Sequence, residues 1–191
     1  MPDPLDALRL PDAPLAPRPA FAADLRRRIE RELNPEETTM TTTTTTTTTS
    51  LVPYVIVADA AAALEFYARA FGATVVLRLD DADGRIGHAE IDLGGTRLML
   101  ADAYPEHGVV GPADLGGSPV LLHLEVPDAD AVFARAVAAG ATVLRPMEDQ
   151  FYGARSGQVT DPFGHRWAIQ TITRAMTQDE MQRGLDELES E

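Results

Sequence analysis

Gly72-Ala73-Thr74-Val75 returns as Gly140-Ala141-Thr142-Val143, 68 residues further along the chain. The likeness extends to both sides. Val57-Ala58-Asp59 precedes the first copy as Val126-Pro127-Asp128 precedes the second. Downstream, Asp92, Gly95 and Arg97 match Asp161, Gly164 and Arg166 at an offset of 69. A repeat held at one offset over this distance means one structural unit used twice. Two copies of a half-barrel would face each other across a pseudo-two-fold axis. The cleft between them is where function is to be sought.

Each copy spells the same element order. Residues 51–57 are an apolar run suited to a strand. Residues 60–71 are Ala-rich, carry Leu64, Phe66, Tyr67 and Phe71, and read as a helix stopped by Gly72. Residues 74–79, 86–93 and 97–101 read as strands, separated by turns at Asp83-Gly84 and Gly94-Gly95. The first unit is therefore β-α-β-β-β. The second repeats it, with strands over 121–126, 142–145, 157–160 and 166–171 and a helix over 129–139. The connector 103–117, rich in Gly and Pro, reads as a loop, and 150–157 as a turn. The expected fold class is α+β, with tandem βαβββ modules over 51–103 and 117–172 making one domain at 51–172.

Helical extensions flank this domain. In residues 1–33, Phe21, Leu25, Ile29 and Leu33 make an apolar stripe with Arg26-Arg27-Arg28 on the other side, an amphipathic helix that Asn34-Pro35 ends. Thr41 to Thr49 are nine consecutive threonines, and 34–50 reads as a flexible linker because such a tract buries nothing. In residues 173–191, Thr177 and Glu180 form a capping box that opens a short acidic helix.

Composition excludes several functions. The net charge is −14, which repels phosphate backbones and argues against nucleic acid as a partner. All sixteen basic residues are arginine, so no lysine Schiff base can form. Cysteine is absent, which removes disulfides, thiolate metal sites and a cysteine nucleophile. No apolar run reaches membrane length and the N-terminus lacks a secretory pattern, so the expected location is the cytoplasm.

Longer motifs point to a family. These are Pro53-Tyr54 with Asp59 and Glu65-Phe66-Tyr67, then Phe71-Gly72-Ala73, then Leu98-Met99-Leu100-Ala101-Asp102. They continue with Asp149-Gln150-Phe151-Tyr152-Gly153-Ala154-Arg155 and Asp161-Pro162-Phe163-Gly164-His165-Arg166-Trp167. In this order they resemble the vicinal-oxygen-chelate superfamily of glyoxalases, bleomycin-resistance proteins and dioxygenases, and within it the PhnB-like branch. The resemblance implies a glyoxalase/bleomycin-resistance fold, a homodimer and a small-molecule ligand in the inter-module cleft. It also implies four metal-ligand positions in the metal-using members, one on the first and one on the last strand of each unit. Here those positions are Val52, Met99, Leu121 and Ala168. None offers the imidazole or carboxylate that a divalent metal needs, so no cofactor is expected. A set displaced by two residues, Tyr54, Ala101, His123 and Gln170, contains one common ligand, His123.

Strand alternation divides the rest. Tyr54, Ile56, His123 and Glu125 of the first strands face the cleft, as do Arg97, Met99, Arg166 and Gln170 of the last strands. Val55, Leu98, Leu100, Leu122, Leu124, Trp167 and Ile169 face the helices. Glu125 and Arg166 are candidates for an ion pair across the sheet. Tyr152 and Arg155, in a turn, are candidates to close over a ligand. His88, His107 and His165 are dispersed and read as surface or turn residues. The expected ligand-binding set is Tyr54, Met99, His123, Glu125, Tyr152, Arg155, Arg166 and Gln170. The expected function is small-molecule binding without a metal. Two alternatives stand beside it: a metal-dependent isomerase, lyase or dioxygenase centred on His123, and an interaction module that uses the N-terminal helix.

Overall fold

The computed structural model describes residues 49–190; the expectations for residues 1–48, the amphipathic helix and most of the threonine tract, lie outside the described residues. Module 1 runs β1 (Tyr54–Val57), α1 (Ala60–Phe71), β2 (Thr74–Asp80), β3 (Ile86–Asp92) and β4 (Arg97–Asp102). A 3-10 turn (Pro105–His107) and a short helix α2 (Pro112–Leu115) lead to module 2. That module runs β5 (Leu121–Glu125), α3 (Ala129–Ala138), β6 (Thr142–Gln150), β7 (Ala154–Thr160) and β8 (Arg166–Ile172). Helix α4 (Gln178–Glu189) follows. The strand orders, β1-β4-β3-β2 and β5-β8-β7-β6, are the same topology twice. In each sheet the first strand pairs parallel with the last.

The repeat survives down to single hydrogen bonds. Asp59 caps α1 by accepting from the Ala62 N–H at 2.8 Å, and Asp128 caps α3 by accepting from Ala131 at 3.0 Å. The last strand of each module holds the next orphan donor of its helix. Asp102 accepts from the Ala60 N–H at 2.7 Å, and Thr171 Oγ1 accepts from Ala129 at 2.8 Å. Gly72 ends α1 at φ 72°, a left-handed conformation that glycine adopts without steric cost. Thr177 and Glu180 exchange the expected capping-box bonds at the start of α4.

The two modules meet through α1 and α3 and share one aromatic core. Phe66, Tyr67 and Phe71 of α1 pack on Phe163 and Trp167 of module 2, with Phe71 and Trp167 centroids 4.6 Å apart. Phe66, Tyr67, Ile91, Leu100 and Ile169 are buried, each contributing about 1.5–3 kcal/mol of burial. At the centre, Asp161 accepts from the Tyr67 hydroxyl at 2.9 Å and from Trp167 Nε1 at 3.0 Å. Burial, and then the Asp161 carboxylate, hold the Tyr67 hydroxyl's pKa well above the ordinary tyrosine value.

Three expectations need correction. The first strand begins at Tyr54 rather than at 51, because Pro53 has no N–H to donate. The connector contains the 3-10 turn and α2, each ended by a left-handed glycine, Gly108 and Gly116. The β6–β7 hairpin is longer than expected: β6 continues through Pro146, and β7 starts at Ala154. Proline is tolerated there because β6 is the outer strand of its sheet. Among the described residues no helix is long and apolar enough to cross a membrane.

Candidate functional site

Each sheet packs one face on its helix and leaves the other open. Cross-strand partners share a face, so the register assigns the open-face residues. In module 1 Tyr54 lies beside Met99, and Met99 beside Glu90. In module 2 Leu121 lies beside Arg166, His123 beside Ala168 and Glu125 beside Gln170. Ser156 and Gln158 of β7 extend this face, opposite Gln170 and Ala168. The faces are only partly covered. Tyr54 is 47% exposed and Leu121 41% exposed, while His123 and Glu125 are also exposed.

The open face of module 1 carries a polar chain. Tyr54 Oη lies 2.9 Å from His88 Nδ1, and His88 Nε2 lies 3.4 Å from Glu90 Oε1. Arg97 Nη1 closes on Glu90 Oε2 at 2.7 Å. Partial burial holds the Tyr54 hydroxyl's pKa above the usual tyrosine value. His88 is thus a partly buried strand residue rather than the surface or turn residue expected, and Glu90 is a site residue that the sequence does not single out. Their signal was present, since they alternate with the core residues Ala89 and Ile91.

On module 2, Gln170 is 7% exposed and donates from Nε2 to Glu125 at 3.3 Å. Its Oε1 has no hydrogen-bond partner among the described residues. Tyr152 packs edge-on against Phe151 and lines a cavity of about 230 Å³ with Arg145, Glu148, Ser156 and Gln158. Through Ser156 and Gln158 this cavity borders the Gln170 face. A larger cavity of about 420 Å³ lies between Phe151 and α4 and includes none of the open-face residues of either sheet.

Several expected placements differ. Glu125 does not pair with Arg166: Glu125 is opposite Gln170, while Arg166 is opposite Leu121, four residues back along the ladder. Arg155 is not in a turn over the cleft. It is the second residue of β7, on the face that meets α3, and its guanidinium holds Asp130 at 2.6 Å and Asp149 at 3.4 Å. The hydrogen bonds from Arg155 hold the Asp130 carboxyl below the usual carboxylate range. Arg155→Ala is therefore expected to leave the affinity of any open-face ligand within about twofold, since an exposed ion pair on the other face contributes little; a titration of wild type against variant checks this. His165 is not a surface residue. It is 8% exposed and its Nε2 lies 2.9 Å from the Ile56 carbonyl, fixing β8's entry turn against the outer edge of β1.

Nor does the fold draw all the candidates into one place. Among the described residues no hydrogen bond or ion pair joins Tyr54 or Met99 to His123, Glu125 or Gln170. The positions that the metal-using relatives would fill remain apolar: Val52 precedes β1, Met99 and Ala168 lie on the open faces, and Leu121 begins β5. Such side chains do not fit a divalent cation. Among the described residues no three His, Asp or Glu side chains converge as metal ligands would.

Paired βαβββ modules with helix-backed sheets and polar open faces define a class of protein. Residues 30–169 match the family model of the Glyoxalase/Bleomycin resistance protein/Dioxygenase superfamily, and the chain belongs to that superfamily. An uncharacterized protein of Mycobacterium tuberculosis is 43% identical over 138 residues, 71% of this chain and 81% of the relative. The crystal structure of TioX from Micromonospora sp. ML1 is 29% identical with a TM-score of 0.52, covering 65% of this chain and 99% of that one. A Bacillus cereus PhnB protein, described as a putative 3-demethylubiquinone-9 3-methyltransferase, is 19% identical with a TM-score of 0.53. It covers 64% of this chain and 99% of its own, and at that identity shares the fold alone.

Proposed function

We propose that this is a PhnB-like, glyoxalase/bleomycin-resistance-type protein that binds a small organic molecule between the open faces of its modules, without a metal. The observation that supports this most is the pairing of a superfamily fold with apolar residues at its four metal-ligand positions, Val52, Met99, Leu121 and Ala168. Without a Lewis acid an enediolate has no cation to stabilise it. What the open faces offer instead is a mixed lining. Tyr54, Met99, His123, Glu125 and Gln170 give aromatic, apolar and hydrogen-bonding surface, and Tyr152 rims the adjoining cavity.

The binding unit is a homodimer in this reading. The outer strands β2 and β6 expose Val75, Val76, Leu77, Leu79, Val143 and Leu144, each 38–54%. Unpaired strand edges bearing that much apolar surface invite a partner, and a second copy covers them at no cost in new sequence.

Metal analysis and ligand screening test the proposal together. Untagged protein is expected to contain less than about 0.1 divalent metal per chain by mass spectrometry and to keep its melting temperature in chelator, because a resident ion would stabilise the fold by mass action. A small-molecule library is expected to contain compounds that raise the melting temperature. Light scattering is expected to give twice the 20.6 kDa chain mass. Near-stoichiometric metal lost to the chelator with the melting temperature would overturn the metal-free reading and favour an enzyme centred on His123.

A further inference from the structure

The polar chain on module 1 has a direction. Glu90 is half-buried, its side chain 13% exposed, and as a carboxylate it can only accept. The His88 nitrogen beside it, Nε2, therefore carries the hydrogen. In neutral His88 this leaves a lone pair on Nδ1. The Tyr54 hydroxyl, 2.9 Å away, donates to it in preference to the Gly87 carbonyl at 3.5 Å. In that state Tyr54 turns its hydrogen inward and shows the cleft only lone pairs.

Protonation of His88 reverses the arrangement. Nδ1–H then donates to Tyr54 Oη, and the tyrosine's own hydrogen is released toward the open face. The patch charge changes too. Arg97 offsets Glu90, but its cross-strand partner Asp92 adds a second carboxylate, so a protonated His88 takes the patch from −1 to neutral. Its uncharged neighbours are Leu79 of β2 and Tyr54 of β1, while the Asp81 carboxylate lies against the preceding residue, Gly87. A hydroxyl donor backed by a protonated histidine, on a tyrosine 47% exposed, is suited to an oxyanion.

We infer that Tyr54, positioned by His88 and Glu90, is the contact through which module 1 takes the anionic oxygen of its ligand, a carboxylate or an enolate. The inference rests on the binding function proposed above and adds the chemistry of the ligand. When the ligand binds the form with neutral His88, one proton from solvent forms the N–H bond at His88 Nδ1. The hydrogen bond from Tyr54 to that nitrogen breaks, and the hydroxyl donates to the ligand; no bond to the ligand is covalent. Because one proton is taken up with the ligand, anion affinity rises as pH falls, by at most about tenfold per pH unit.

Benzoate, ionised throughout, and the neutral benzamide are the probes. Calorimetry at pH 6 and pH 8 is expected to show benzoate binding at least about fivefold more tightly at pH 6, with buffer-dependent heats that report proton uptake. Benzamide is expected to bind equally at both. Tyr54→Phe should bring benzoate affinity at pH 6 close to that of benzamide. His88→Gln should keep the fold and abolish the pH dependence. Long-range proton–nitrogen spectra should show the neutral His88 ring protonated on Nε2. Equal benzoate affinity at the two pH values, or a ring protonated on Nδ1, overturns the inference. So does a screen in which benzoate is silent and only neutral or cationic compounds bind, although the binding function itself then stands. A screen with no binder at all overturns both.

Discussion

Replacing Asp161 with alanine is expected to cost about 5 kcal/mol of folding stability, enough to unfold much of the population of an ordinary domain. The carboxylate is 3% exposed and accepts four hydrogen bonds. One oxygen holds the backbone N–H groups of Phe163 and His165, at 3.0 and 2.9 Å, and so shapes the turn into β8. The other holds Tyr67 and Trp167, at 2.9 and 3.0 Å, and Tyr67 belongs to the opposite module. Alanine strands four donors where water cannot readily reach. Each stranded donor costs about 1–3 kcal/mol, so four cost about 4–12 kcal/mol, and partial relaxation brings the sum toward the lower end of that span. Graded variants separate the two halves of the network. Asp161→Asn keeps one acceptor oxygen and should lose about half as much. Tyr67→Phe removes a single charge-assisted bond and should lose about 1.5–3 kcal/mol. Trp167 is the only tryptophan and touches Asp161 directly, so its fluorescence follows urea unfolding at this locus. An Asp161→Ala midpoint equal to that of wild type would show that the network does not hold the modules together.

Asp161 also marks how far the sequence can be read. Its repeat partner Asp92 does the turn-forming half of the same job, accepting from Gly95 N–H at 3.1 Å. That half belongs to the repeat and is visible at an offset of 69. The other half, the contact with Tyr67, spans 94 residues and no periodicity encodes it. The same division holds elsewhere. Helix ends, strand faces and the two-module plan follow from local rules: Asp caps, left-handed glycines and alternation of apolar residues. Placements that depend on where a hairpin turns do not. A turn drawn at 150–157 puts Arg155 over the cleft. The true turn around Phe151–Gly153 puts Arg155 into a strand, facing α3. His88 was readable as an open-face residue from its alternation with Ala89 and Ile91. Its bond to Tyr54, on a strand 34 residues away in sequence, was not.

Gly153→Ala is expected to cost about 3 kcal/mol and to loosen the C-terminal segment before the modules themselves. Gly153 is buried at φ 81°, where an alanine is strained by about 1–2 kcal/mol before any contact is counted. The added methyl would also strike the Arg174 carbonyl oxygen, and would lie 3.0 Å from Met176 Cγ and Sδ. A methionine end can turn away, but a backbone carbonyl can retreat only if residues 173–176 move as a unit. That movement threatens three bonds to the Gly153 carbonyl, from Thr173 N–H at 2.9 Å, Arg174 N–H at 3.0 Å and the Thr173 hydroxyl at 3.1 Å. The chain between β8 and α4 is pinned at this one oxygen. Hydrogen exchange is therefore expected to accelerate at Thr173 and Arg174 while Val159 and Ile169, buried in the shared core, keep their protection. Gly184→Ala supplies the control. Gly184 sits within α4, and its methyl would meet only the Phe151 side chain, the nearest atom 3.1 Å away. The gain in helix propensity, about 1 kcal/mol, offsets the displacement of that ring, so its stability should stay near wild type. If Gly153→Ala left the exchange of Thr173 and Arg174 unchanged, the glycine would not be what anchors the C-terminal helix to the hairpin.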